Sequence, residues 1–205
     1  MLDAWIRRRI DRPLARVGGG LAARGVGADA LTWAGFAAGL AAAAAVALGA
    51  FGWAVALFAL NRLLDGLDGA VARAAGATDR GGFLDITLDF LVYAAVPLGF
   101  AVVDPAANAL AAAVLLFSFV GTATSFLAYA VFAAKRGVTT ARRGHKSLYY
   151  LGGLAEGTET AVVLLAMCAF PGAFVPLAYG FAALCALTAA ARVHAGVVDF
   201  RDPAG

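Results

Sequence analysis

Apolar residues run through the chain in six long stretches, at approximately 29–50, 53–75, 82–103, 108–134, 148–170 and 174–197. At a helical rise of about 1.5 Å per residue, each can cross a hydrocarbon core of about 30 Å. The pattern predicts six transmembrane helices, because a helix satisfies its own backbone polar groups in lipid. The breaks between stretches differ in charge. The turns at Phe51-Gly52, Asp104-Pro105 and Phe170-Pro171-Gly172 contain no Lys or Arg, whereas the N-terminus, the Arg73 to Arg80 turn, the Lys135 to Lys146 loop and the tail with Arg201 are basic. Basic loops collect on the cytoplasmic side, so both termini and the second and fourth connections are expected there. Ahead of the first span, Leu2, Trp5, Ile6, Ile10, Leu14 and Val17 fall roughly on one helical face, with Arg7, Arg8, Arg9, Arg12 and Arg16 supplying charge. Such a helix suits an anionic membrane surface, and equally serves as a basic flank that fixes orientation. Pro13 is expected to kink or break it, and Gly18-Gly19-Gly20 and Gly25 to Gly27 to punctuate the chain before the membrane.

Composition agrees with this pattern. A hydrophobic fraction of 62% and a mean hydropathy of +0.84 exclude an ordinary soluble domain, and 205 residues fit one domain. The fold class expected is an all-α integral membrane protein, six transmembrane helices with an N-terminal amphipathic surface helix. A net charge of +3 and a pI near 9.1 report topology here rather than a nucleic-acid partner, and no nucleic acid is expected. The first apolar run is long and follows about 27 residues of Arg-rich sequence, which fits an uncleaved anchor better than a signal peptide. Cys168 and Cys185 sit in apolar segments without metal-ligand spacing and read as small core hydrophobes.

Four carboxylates break the apolar pattern in one region. Asp65-Gly66-Leu67-Asp68-Gly69-Ala70-Val71-Ala72-Arg73 closes the second span, and Gly81, Asp85 and Asp89 open the third. Acids within spans are costly enough to require a cation or a reaction. At about 100° per residue, Asn61, Arg62, Asp65, Asp68, Gly69, Ala72 and Arg73 lie within about 140° of one another. Asp85 and Asp89, four residues apart, share a face with Gly81 one turn before them. A short basic turn joins the two helices, so their acidic faces are expected to meet near the inner surface. Clustered oxygen ligands without His or Cys select hard cations, Mg2+ or Mn2+. Arg62, Arg73 and Arg80 suit a phosphate, and Gly66, Gly69, Gly81 and Gly82 leave room for a polyphosphate to approach the backbone. Cations bridging two phosphates are the usual arrangement for displacement at phosphorus, so the pocket predicts phosphoryl-group transfer.

The spacing Asp65-x2-Asp68-Gly69-x2-Ala72-Arg73-x7-Gly81-x3-Asp85-x3-Asp89 resembles the signature of the CDP-alcohol phosphotransferase (CDP-alcohol phosphatidyltransferase) family, with every fixed position present. Leu31-Thr32, at the start of the first span, resembles a weaker shared feature. The resemblance implies a multi-pass enzyme of the bacterial inner (cell) membrane, homodimeric, with its termini and active site cytoplasmic. It implies displacement of CMP from a CDP-linked alcohol by the hydroxyl of a second alcohol. Asp65, Asp68, Asp85 and Asp89 would then bind two divalent ions, Mg2+ or Mn2+. Asp89 would be the catalytic base, and Gly69, Ala72, Arg73 and Gly81, with Asn61 and Arg62 nearby, would line the CDP site. The chain divides on this reading into a cytoplasmic juxtamembrane helix and linker (1–28), a six-helix transmembrane catalytic domain (29–200) and a cytoplasmic tail (201–205).

The second substrate has weaker signals. Lys135, Arg136, Arg142, Arg143, His145 and Lys146 form a basic loop that fits a positive-inside signal better than a site for a phosphorylated acceptor or lipid headgroups. Glu156 and Glu159 share a face at the start of the fifth span, where an acceptor-pocket role competes with pairing to Arg62 or the basic loop. Acids there suit an amino-alcohol or a polyol, and the basic loop suits a phosphate. Ser125, Tyr129, Tyr149 and Tyr150 border the same cavity or anchor the interface, and Arg192 and His194 read as interfacial. The leading function is transfer from CDP-diacylglycerol to a small alcohol among membrane lipids. Its alternatives are transfer from a small CDP-alcohol such as CDP-choline or CDP-ethanolamine to a lipid hydroxyl, an intramembrane prenyltransferase, and a non-catalytic binding or transport protein.

Overall fold

A computed structural model describes residues 2–137 and 155–201, with side chains from residue 12 onward. All regular structure among them is helical: α1 Leu2–Ala23, α2 Ala28–Ala47, α3 Phe51–Ala75, α4 Asp79–Val103, α5 Pro105–Lys135, α6 Gly157–Ala169, a 3-10 turn Pro171–Ala173, and α7 Phe174–Asp199. Among the described residues four segments, α2, α4, α5 and the turn with α7, are long and apolar enough to cross a membrane. Helix α3 is as long as α4 but carries Arg62, Asp65, Asp68 and Arg73, which lower its hydropathy. The expected fifth span is described only from Ala155, and α6 covers 13 residues of it. Arg142, Arg143, His145, Lys146, Tyr149 and Tyr150 lie outside the described residues.

Local chemistry sets most boundaries. Asp104 accepts a hydrogen bond from the Ala107 N–H at 3.1 Å and Pro105 opens α5, a combination of side-chain cap and missing donor that suits a helix start. Thr78 caps α4 by accepting from the Gly81 N–H at 3.0 Å. The turn after α2 falls before Phe51, so Phe51-Gly52 begin α3 rather than form the turn the sequence suggests.

Helix α1 corrects two expectations. It runs unbroken through Pro13 and through Gly18-Gly19-Gly20. The physical reason lies in its contact with α3: a Cβ on Gly18 would come within 2.6 Å of Ala70 Cβ, so the bare backbone lets the helices touch. Gly66 is used the same way, since a Cβ there would meet Leu14 of α1 at 3.2 Å. Gly66 therefore faces α1 and offers no opening to a polyphosphate.

Helix α2 packs along both α3 and α4, and α5 packs along α4 and α7. Fully buried Phe58, Phe100, Phe174, Leu115, Leu164 and Met167 form the centre of the core. Phe100 stacks on Phe174 with centroids 4.2 Å apart, and Phe51 stacks on Phe100. These rings belong to the start of α3, the end of α4 and the start of α7, so the aromatic packing closes the end of the bundle away from the acids. Cys168 and Cys185 are buried in this core, as the sequence suggests.

Candidate active site

Helices α3 and α4 bring three of the four signature acids together. One carboxylate oxygen each from Asp65, Asp68 and Asp85 lies within 4.8 Å of the others, and Asp68 is buried. At such spacing each ionised pair repels by on the order of 3 kcal/mol at an effective dielectric of about 20. A cation removes that repulsion, and a donor set of carboxylate oxygens without nitrogen or sulfur fits a hard divalent ion. The cluster can therefore hold a metal ion. Thr32 on α2 holds one side of it, its hydroxyl donating to Asp68 Oδ2 at 2.6 Å.

Asp89 stands apart from this triplet. The Arg62 guanidinium grips it by both oxygens, Nη2 to Oδ1 at 2.6 Å and Nη1 to Oδ2 at 3.3 Å. The remaining faces of Arg62 are also engaged. Its Nε donates to Asn61 Oδ1 at 2.8 Å, its Nη1 donates to the Tyr93 hydroxyl at 2.7 Å, and Nη1 lies 3.6 Å from Asp65 Oδ2. The guanidinium sits 4.9 Å from the Tyr93 ring centroid and 5.6 Å from that of Phe58. Tyr93 in turn donates toward Asp89 Oδ2 at 3.2 Å and lies 3.5 Å from the Gly157 carbonyl on α6.

Two cavities meet at the acids. One, of about 400 Å³, is bordered by Asp29, Thr32, Asp68, Gly69, Ala72 and Gly81. The other, of about 450 Å³, is bordered by Asp89, Tyr93, Thr122, Glu156, Thr160 and Arg192. Asp85 lines both, and a narrow gap between them is lined by all four aspartates. At the mouth of the first cavity Arg80 pairs with Asp29 at 3.1 Å. Exposed Arg73 folds back so that a Cβ on Gly69 would lie 3.3 Å from its Nη1.

The other expected site residues divide. Gly69, Ala72 and Gly81 border the first cavity with Gly82, and Glu156 borders the second. Asn61 is buried and donates to the Gly35 carbonyl at 2.9 Å, tying α3 to α2. Glu159 lies in the first turn of α6 and does not border the second cavity. Exposed Lys135 and Arg136 end α5 away from it, with Arg136 donating to the carbonyls of Phe200 and Arg201. Tyr129 donates to Asp199 Oδ2 at 2.6 Å, joining α5 to α7, and Ser125 bonds back to the Thr122 carbonyl. Arg192 is buried rather than interfacial, donating to the Thr122 carbonyl at 3.2 Å beside the Phe126 ring. Thr32 was visible in the sequence only as a partner of Leu31. Tyr93 carried no signal beyond its place one turn after Asp89.

The chain has relatives among known proteins. The model of the CDP-alcohol phosphatidyltransferase family matches residues 26–197. The chain is 48% identical to the inner membrane protein YnjF of Escherichia coli over 202 residues, 98% of each protein. It is 40% identical over 97 residues to the archaetidylinositol phosphate synthase of Pyrococcus horikoshii, spanning 47% of this chain and 52% of that one. Its fold is similar to that of Mycobacterium tuberculosis phosphatidylinositol phosphate synthase (PgsA1) with CDP-DAG bound, at a TM-score of 0.68 and 22% identity. That match covers 95% of this chain and 100% of the other.

Proposed function

The chain belongs to the CDP-alcohol phosphatidyltransferase family and is a transferase of that type, and from this membership we propose that it moves a phosphatidyl group from CDP-diacylglycerol to the hydroxyl of a small alcohol, releasing CMP. The observation that carries the reading is the meeting of two cavities at the aspartates, which gives each substrate its own side of one reacting centre. The donor takes the side bordered by Gly69, Ala72 and Gly81, with Arg73 over its rim. The acceptor takes the side bordered by Glu156 and Arg192. The lipid-bearing donor is favoured because a similar fold binds CDP-DAG and a relative is named for archaetidylinositol phosphate synthesis.

Asp65, Asp68 and Asp85, with Asp89 across the gap, would hold two Mg2+ or Mn2+ ions. Their charge would offset that of the pyrophosphate and favour departure of CMP. Asp89 borders both the gap and the acceptor cavity, the position from which a carboxylate takes the proton of an entering hydroxyl. The acceptor oxygen then bonds to the lipid-bearing phosphorus, the bond from that phosphorus to the bridging oxygen breaks, and Asp89 passes its proton to solvent. The site faces the cytoplasm, where the basic loops lie.

The test is CMP release by the purified protein in phospholipid vesicles with Mg2+. Either CDP-diacylglycerol or CDP-choline with diacylglycerol serves as donor, against ethanolamine, glycerol and inositol phosphate as acceptors. CMP formed from CDP-diacylglycerol alone is expected. CMP formed from CDP-choline alone would reverse the roles of lipid and small alcohol, and CMP from neither donor would end the transferase reading.

A further inference from the structure

Arg62 lies on the same helical face as Asp65, which groups it with the donor site in the sequence. Its contacts point elsewhere. A guanidinium has five N–H donors in a fixed fork. Here the short bonds go to Asn61, to the Tyr93 hydroxyl and to both oxygens of Asp89, with Asp65 Oδ2 more distant at 3.6 Å, and Arg62 does not border the cavity lined by Gly69, Ala72 and Gly81. The Phe58 and Tyr93 rings flank the guanidinium, and the Asn61 that receives its Nε is itself fixed to the Gly35 carbonyl. We propose that Arg62 is a positioning residue for Asp89: together with Tyr93 it holds the Asp89 carboxylate at the border of the acceptor cavity, and it makes no contact with the nucleotide.

The proposal rests on the reading of Asp89 as the base, and its physical content is geometric. A carboxylate on a rotatable side chain beside three other acids has several orientations open to it, and only some present an oxygen to the acceptor cavity. Two bonds from a planar guanidinium, itself held near the Phe58 and Tyr93 rings, fix both its distance and its plane. Tyr93 adds a third fixed point from the same helix as Asp89, one turn further on. Groups that orient a reacting or ligating residue in this way affect turnover by about 10 to 100-fold when removed, while leaving ground-state binding of the remote substrate in place.

The test compares Arg62→Gln, Arg62→Lys, Tyr93→Phe and Asp89→Asn in vesicles. Turnover is read as CMP release from CDP-diacylglycerol with each acceptor above, donor affinity by equilibrium binding of CDP-diacylglycerol, and cation binding by Mn2+ titration. Arg62→Gln is expected to lower kcat by about 10 to 100-fold with the donor Kd within about twofold of wild type and Mn2+ binding retained. Arg62→Lys keeps the charge but not the fork, so most of the defect is expected to persist, and Tyr93→Phe should lose less with the same split. A donor Kd that weakens in step with kcat/KM in Arg62→Gln would overturn the proposal by making Arg62 a nucleotide ligand. Full rescue by Lys would overturn it by reducing the role to charge alone. If Arg62→Gln fails to fold, Arg62→Lys and Tyr93→Phe decide on the same split between kcat and donor Kd. Asp89→Asn at wild-type turnover would end the base reading itself, an outcome distinct from any change in donor affinity at Arg62.

Discussion

Asp68→Asn is expected to bring CMP release to background and to abolish Mn2+ binding at the site. Asp68 is the buried member of the triplet, it borders both the donor cavity and the gap, and Thr32 fixes one of its oxygens at 2.6 Å. Asn keeps the size of the side chain and an oxygen for Thr32 to bond, so the substitution removes charge with little change of shape. Alterations to groups that merely support a metal ligand cost about 10 to 100-fold, and the loss of a ligand should exceed that. CMP assays and Mn2+ titration on the same preparation check the two halves together. Wild-type turnover in this variant would move the cation away from the triplet.

The second large effect concerns stability. Gly99→Ala is expected to lower stability by about 1–3 kcal/mol and to reduce activity with it. A Cβ on Gly99 would stand 2.6 Å from the Ala43 carbonyl oxygen and 3.1 Å from Val46 Cβ. The nearest obstacle is backbone of α2, which cannot step aside as the end of a long side chain would. Helix α4 must therefore move away from α2, and it carries Asp85 and Asp89 with it. The thermal unfolding midpoint in detergent measures the loss, with Gly180→Ala as the control because nothing lies within 4 Å of a Cβ there. Equal midpoints for the two variants would show that α2 and α4 are not in close contact at Gly99.

The acids were legible in the sequence because a charge in an apolar helix stands out against its neighbours, and their period of three and four assigns them to one face. What depends on the direction of a long side chain was not. Arg62 shares its face with Asp65, but a helical wheel does not say whether a guanidinium reaches forward to the donor or across to α4. Arg192 sits near the end of an apolar run and so reads as interfacial, yet α7 continues to Asp199, which puts Arg192 about two turns inside the helix. Tyr93 is one aromatic among many until α3 and α4 face each other. The glycines mislead in the opposite way. Gly18 and Gly66 read as a break and an opening, and both are contacts where α1 lies against α3. The boundary between α2 and α3 shifted by only a few residues, since the apolar pattern fixes a helix better than its ends.

The two cavities that share Asp85 and flank the narrow acidic gap also carry a kinetic meaning. On the proposed function, neither substrate has to leave before the other enters, and CMP departs from the side by which its donor came. No enzyme-bound phosphatidyl intermediate is required to bridge two half-reactions. Reciprocal initial rates plotted against reciprocal CDP-diacylglycerol at several acceptor concentrations should therefore give lines that intersect, the behaviour of a ternary complex, and parallel lines would show that CMP leaves before the acceptor enters, with the phosphatidyl group held on the enzyme.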